Sequence, residues 1–308
     1  MENKFTIGAN VSRKGFVWFA DQLIEEKKKT GHLGLVRVYQ SSLKSLILFV
    51  GNTWIPFHIL NHEFIRDYVE WLENRGISRN TVHFYLRNIR AIYNRAQSLG
   101  CISSRKNPFE GFSFTPQPTV KRSLSKNKLR KILDLNLVFG TPVALTRDMF
   151  MFSFYSCGMG YADMAYLRHS NIHENMIRYQ RVKTKREVVI FLESPMLHLI
   201  DRYRREDSDY VWPILLDDAS LEENYQRYRS GLTAYNRNLA RIGEKLDIQG
   251  LSSYVARHTW ATVARNNLMP TAIISTCLGH ASERTTQIYL DSFNSSLIRR
   301  INKKVIEL

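Results

Sequence analysis

Four cations stand close together in MIRYQRVKTKREVVIFL, residues 176–192: Arg181, Lys183, Lys185 and Arg186. The stretch otherwise reads as a short β-hairpin. Ile177, Tyr179, Arg181 and Lys183 alternate with Arg178, Gln180, Val182 and Thr184, and residues 188–192 form an apolar return strand after a polar turn. Strict alternation places Arg181 and Lys183 on one strand face, where two positive charges could meet the same anion. A solvated edge strand guarded by lysine carries the same pattern, so the rest of the chain has to decide.

A second set of chemistry-bearing residues lies in LSSYVARHTWATVARNNLMPTAIISTCLGHASERTTQIYLDSF. Arg257 and His258 begin an amphipathic helix with Trp260 and Val263 on its apolar side, and Met269-Pro270 ends or restarts it. Ile273, Ile274 and Leu278 then mark a short helix that stops at Gly279, leaving His280 just past its end. Tyr289 follows in a segment opened by Glu283, Arg284, Thr285 and Thr286. Taken singly, each of these residues is as well explained by packing.

The whole-chain balance favours an anionic partner. There are 44 Lys+Arg against 28 Asp+Glu, a formal net charge of +16 over 308 residues. Nucleic acid comes before an anionic membrane, because no basic amphipathic anchor is present. No run of about 18 apolar residues predicts a membrane-spanning helix, and MENKFTIGANVSRKGF lacks the apolar core of a signal peptide. Cys101, Cys157 and Cys277 are odd in number and widely spaced. They fit neither a disulfide framework nor a zinc site, and a reducing cytosol is their natural setting. A cytoplasmic, nucleoid-associated protein without a membrane partner is expected.

The elements that must position these residues are mostly helical. Residues 14–30, 34–50 and 61–75 read as amphipathic helices, the third with an apolar stripe of Phe64, Ile65, Tyr68, Trp71 and Leu72 closed by Gly76. In the next helix Val82, Tyr85, Leu86, Ile89, Ile92, Tyr93 and Ala96 share one side. Arg79, His83, Arg87, Arg90 and Asn94 lie largely on another, a candidate DNA-facing surface in so basic a chain. The segment 103–123 holds Pro108, Gly111, Pro116 and Pro118 and reads as an exposed interdomain linker, with the boundary near residue 118. Beyond it, Ser125 could cap a helix through Leu133. A helix over 143–156 looks buried on most sides, a second short one covers 161–168, and helices return from Asn224 after the hairpin. The expected fold is mainly α with a small antiparallel β-sheet (α+β), a helical domain over 1–118 preceding a mixed domain over 119–308.

The Arg of ARH, then LGH, then TTQIYL resembles, in order, spacing and flanking residues, the tyrosine recombinase (phage-integrase) family. The resemblance extends over the chain, with 1–118 similar to a core-binding domain and 119–308 to a catalytic domain. It implies that a tyrosine hydroxyl attacks a DNA phosphodiester, forming a 3′-phosphotyrosine and freeing a 5′-hydroxyl. The link conserves the bond energy, so no cofactor, ATP or metal is expected. By that resemblance Tyr289 is the nucleophile, Arg257 the arginine of the HxxR motif, His280 a hydrogen-bond donor to the phosphate, and Lys183 the general acid towards the 5′-oxygen. Arginine suits the phosphate because its planar fork grips two oxygens at once.

Two positions depart from the family pattern. Tyr254 stands at the first HxxR position; it can donate a hydrogen bond but is a poor acid–base group near neutrality. In SFYSCGMGYADMAYL the family's first arginine falls on Gly160 in one register and on Cys157 in the other, and Asp163 matches the acidic residue that follows. Arg181 is the best substitute by spacing, with Arg147 and Arg168 weaker because Arg147 suggests a helix-surface pair with Asp148. The leading expectation is a site-specific recombinase, an integrase, resolvase or invertase, with a simple two-domain enzyme favoured because residues 1–13 cannot fold alone. The family precedent implies a homotetramer on two double-stranded DNA sites, exchanging a C-terminal segment such as LDSFNSSLIRRINKKVIEL, and leaves room for accessory DNA-bending proteins. The competing expectations are a recombinase-like protein that binds DNA without cutting it and, less favoured, a type IB topoisomerase.

Overall fold

The computed structural model describes residues 15–102, 106–112, 115, 117 and 122–280. The chain divides into two compact units, Met1–Thr119 and Val120–Leu308. Among the described residues the first is built from four helices: α1 (Gly15–Lys29), α2 (Leu33–Val50), α3 (His62–Asn74) and α4 (Arg79–Ser98). The Asn61 side chain caps α3 by accepting from the Phe64 N–H at 2.9 Å. The helix ends with Gly76 just beyond, its φ of 70° in the left-handed region that glycine adopts cheaply. Phe16, Leu46, Ile65, Tyr68, Leu86 and Ile89 close the core of this unit.

Polar ties also cross between these helices: the Tyr68 hydroxyl of α3 donates to the Ser45 hydroxyl of α2 at 2.7 Å. Asn88 on α4 donates to the Ser42 hydroxyl of α2 at 3.0 Å, and Ser42 in turn donates to the Val38 carbonyl. Helix α2 is, by length and mean hydropathy, apolar enough to cross a membrane. It lies against α1, α3 and α4, burying Val36, Tyr39, Leu43 and Leu46.

The second unit carries the sheet. Its elements run α5 (Lys126–Leu133), α6 (Pro142–Tyr155), α7 (Tyr161–Ala165), β1 (Ile172–His173), β2 (Met176–Gln180), β3 (Glu187–Phe191), α8 (Ser194–Arg202), α9 (Leu221–Lys245), α10 (Val255–Asn266) and α11 (Thr271–Cys277). The three strands pair antiparallel in the order β1-β2-β3, with Ile177 opposite Ile190 and Tyr179 opposite Val188. Helix α6 is central, touching α5, α7, α8, α9 and α10. That position explains why its sequence is apolar nearly all round. Thr141 caps it, with Pro142 at the first turn where a missing N–H costs nothing. Ser125 caps α5 in the same way. A reciprocal cap between Ser220 and Glu223 starts α9.

Several sequence expectations are corrected here. Arg147 and Asp148 do pair, but inside the protein rather than on a helix surface. Arg147 also donates to the Leu133 and Leu135 carbonyls, and Asp148 accepts from the Tyr203 hydroxyl at 2.7 Å, so the pair ties α5 and α8 to α6. The second short helix stops at Ala165 rather than 168. Part of the expected exposed linker is also core: Phe109 is 2% exposed and sits edge-on to Tyr93, ring centroids 5.8 Å apart. Polar and proline-rich neighbours hid an aromatic anchor, beside which Phe112 also packs on the core. Truncating it should be costly: Phe109→Ala is expected to destabilise the N-terminal unit by about 3 kcal/mol or more. Denaturant titration followed by tyrosine and tryptophan fluorescence would measure this, and an unshifted midpoint would contradict the assignment.

Candidate active site

Arg257 enters on the first turn of α10 and is 4% exposed. Its guanidinium bridges two chain segments, donating to the Gly158 carbonyl at 2.8 Å and to the Leu278 carbonyl. It also donates to His280 Nε2 at 3.0 Å. An arginine cannot accept, so Nε2 of the neutral imidazole is the acceptor and Nδ1 carries the proton. Burial, together with the charges of Arg257, Arg181 and Lys183, pushes the His280 pKa down to about 4. The glycines beside this arginine are dictated by it. A Cβ on Gly158, whose φ is 75°, would stand 2.8 Å from the Arg257 Cα.

Arg181 reaches the same place from the sheet. Its Nε donates to Asp163 Oδ2 at 3.3 Å, and Nη1 donates to the carbonyls of Leu278 at 3.1 Å and Gly279 at 3.0 Å. Two buried guanidinium groups therefore share the Leu278 carbonyl oxygen. Asp163 secures the hairpin a second time, its Oδ1 accepting the Val182 N–H at 2.9 Å. Arg186, which the sequence left without a role, donates to the His280 carbonyl at 2.7 Å. Gly279 has a φ of 61°, and a Cβ there would collide with the Arg181 and Val188 side chains.

The strand ends four residues earlier than the alternation through Thr184 suggests. Ile177, Tyr179 and Arg181 are buried in turn, but β2 ends at Gln180 and the chain turns through residues 181–186. The Arg181 N–H donates to the Arg186 carbonyl and the Lys185 N–H to the Arg181 carbonyl. Lys183 consequently does not share the buried face with Arg181; it is exposed. The turn still brings it to a cleft of about 300 Å³ lined also by Gly160, Asp163, Arg181, Tyr254 and Arg257. Tyr254 is 50% exposed, its ring 5.8 Å from that of His258. Tyr228 of α9, which the sequence gave no reason to select, forms part of the same wall. Gly160 lines the cleft without a side chain, and Cys157 faces Cys277 instead. Of the weaker candidates, Arg147 is held by α5 and Asp148, and Arg168 by Asp209, Asp217 and Tyr210. Tyr289 and the C-terminal segment lie outside the described residues.

In the N-terminal unit Arg79, Arg87 and Asn94 are exposed on α4 and Arg90 is half-buried. His83 does not belong with them. It is 9% exposed, and its Nδ1 has no hydrogen-bond partner. Helix α4 packs on α1, α2 and α3 together, so its buried arc is wider than the apolar stripe in its sequence.

Residues 15–114 match the phage integrase SAM-like domain and residues 122–295 the phage integrase family. The chain belongs to the phage integrase family of tyrosine recombinases. A tyrosine recombinase, XerA of Pyrococcus furiosus, is 23% identical over 269 residues, covering 75% of this chain and 90% of the relative. Transposase B from transposon Tn554 of Staphylococcus aureus is 27% identical over 158 residues, 48% of this chain. The match spans only 25% of that transposase. The Tn1549 transposon integrase in complex with a circular intermediate DNA shares the fold, with a TM-score of 0.63 at 16% identity over 94% of this chain and 99% of that one. A lambda integrase tetramer bound to a Holliday junction has a TM-score of 0.58 at 12% identity, covering 88% and 74%.

At this candidate site, the neutral His280 has a consequence for stability. Its folded-state pKa is depressed from 6.5 to about 4. As pH falls through that interval the unfolded chain takes up a proton that the folded chain refuses, so stability present above pH 6.5 is progressively lost. His280→Gln cannot be protonated, and its melting temperature should fall less across the interval. Circular-dichroism melts at the two ends would show it, and parallel slopes in both proteins would contradict the placement of the ring.

Proposed function

We propose that this chain is a site-specific DNA recombinase that breaks and rejoins double-stranded DNA through a 3′-phosphotyrosine at Tyr289. The observation that supports this most is the convergence of Arg257 and Arg181 on the Leu278 carbonyl, with His280 held on Arg257, beside a cleft that Lys183 and Tyr254 also line. A pentavalent phosphorane carries negative charge on its equatorial oxygens, and preorganised guanidinium groups stabilise it more than they stabilise the starting diester. Arg257 and Arg181 take this role, Lys183 gives the proton to the leaving 5′-oxygen, and Tyr254 and neutral His280 orient the phosphate by hydrogen bonds. The 5′-hydroxyl of a second strand then displaces Tyr289 and restores the diester. The helical N-terminal unit, 1–118 with its linker near 103–123, grips DNA through Arg79, Arg87, Arg90 and Asn94. The working form is a homotetramer on two DNA sites, assisted where needed by accessory DNA-bending proteins.

A nicked suicide substrate, from which the strand beyond the cut is lost, should accumulate a denaturant-resistant protein–DNA adduct. Tyr289→Phe should yield none. Equal adduct from both proteins, or none from either, would contradict the assignment.

The position without a side chain, Gly160, gives a second test. In this proposal Arg181 stands in for the missing arginine, so Arg181→Ala should slow adduct formation by about 100- to 1,000-fold. Gly160 has an ordinary backbone conformation, and a Cβ there meets Asp163 Oδ2 at a comfortable 3.6 Å. Adding Gly160→Arg to the Arg181→Ala protein should therefore recover part of the rate. The competing reading, a DNA-binding protein that no longer cuts, draws on the burial of Arg181 and its engagement by Asp163. It predicts tight binding with no adduct in any of these proteins.

A further inference from the structure

Cys157 and Cys277 occupy places that strand exchange does not explain. Cys157 directly precedes Gly158 and Cys277 directly precedes Leu278, and the carbonyls of Gly158 and Leu278 are the two that Arg257 bridges. The two thiols face each other within hydrogen-bonding reach. Cys157 holds a φ of 56°, at a helix end where glycine is the usual occupant. A side chain is thus kept in a costly conformation that presents it to Cys277. Each cysteine is partly exposed, so a small oxidant can reach the pair.

We propose that Cys157 and Cys277 are a redox modification site: a peroxide joins them in a reversible disulfide that disables the arginine centre. The hydrogen bond from the Cys157 thiol holds the Cys277 pKa down to about 7, so much of it is thiolate, the reacting form. The same contact, together with burial, pushes the Cys157 thiol up. The Cys277 sulfur attacks the peroxide O–O bond, giving a sulfenic acid and, after proton transfer, one water. The Cys157 sulfur then attacks the Cys277 sulfur, the S–S bond forms and a second water leaves. Two thiols and one hydrogen peroxide become one disulfide and two waters, with two electrons passing to the peroxide. A dithiol reductant reverses the step by exchange.

The consequence for the arginine is geometric. A disulfide requires the sulfurs to approach to about 2.05 Å, far inside hydrogen-bonding separation. In the proposed oxidised form, closing that gap draws Gly158 and Leu278 together on either side of the Arg257 guanidinium. Leu278 also anchors Arg181, so both groups leave the position in which they converge. Displacements of about 1 Å at a reacting centre cost around 100-fold in rate. This switching role rests on the proposed recombinase function; the covalent pairing does not.

The test uses the full chain treated with hydrogen peroxide, digested without reductant and mapped by mass spectrometry. The expected result is a peptide linking Cys157 to Cys277 that disappears with dithiothreitol, while Cys101 of the other unit serves as the unlinked reference. Adduct formation on the nicked substrate should fall roughly 100-fold in the linked protein, recover on reduction, and be insensitive to peroxide in Cys277→Ser. Absence of the linked peptide overturns the site. A linked protein that forms adduct at the reduced rate overturns the switch. Reduced protein that makes no adduct contradicts the recombinase reading and with it the switch, whereas the peptide map still decides the pairing.

Discussion

One backbone carbonyl, that of Leu278, receives hydrogen bonds from two buried guanidinium groups that would otherwise repel each other. The arrangement holds because Asp163 answers the charge of Arg181, while Arg257 is met by carbonyl dipoles and an imidazole that stays neutral. Buried charge of this kind is expensive unless each donor is satisfied. The surrounding chain is arranged accordingly: α11 ends where its carbonyls can accept, α7 delivers Asp163, and the hairpin turns back at Arg181. Positive charge is thus preorganised by the fold, the condition that the proposed electrostatic catalysis requires.

The backbone pays for this closeness at its glycines. Gly158 and Gly279 both hold positive φ, and in both the space a Cβ would need is filled by an arginine. Two glycines far apart in sequence therefore serve one purpose, letting the chain approach Arg257 and Arg181. Gly160, between Gly158 and Asp163, has ordinary φ and free space beside it. The cleft has room for a side chain there but does not carry one, and Arg181 comes to it from the turn after β2 instead.

Much of this was legible in the sequence because it rests on local patterns. Apolar periodicity located α1 to α4 and the buried α6, Gly279 marked the end of α11, and the order of Arg257, His280 and Tyr289 pointed to the family. What escaped were features set by tertiary contact. The alternation of Ile177, Tyr179 and Arg181 gives no sign that the strand ends before Lys183, since that depends on Asp163 seizing the Val182 N–H. His83 looks like a member of a basic stripe until α1, α2 and α3 are seen to close on α4. Phe109 lies among prolines and polar residues, and no period reveals that it docks on Tyr93. The contact of Cys157 with Cys277 spans more than a hundred positions, a separation that no local pattern bridges.

The account turns on whether Arg257 and Arg181 act by neutralising charge on the scissile phosphate. A suicide substrate carrying a neutral methylphosphonate at that one position removes the charge they would meet. Adduct formation by Arg257→Ala and Arg181→Ala should then approach that of the unaltered chain on the same substrate, although both variants are slow on ordinary phosphate. If either variant remains as impaired on the neutral substrate as on the charged one, that arginine has some other role and the account is wrong at its centre.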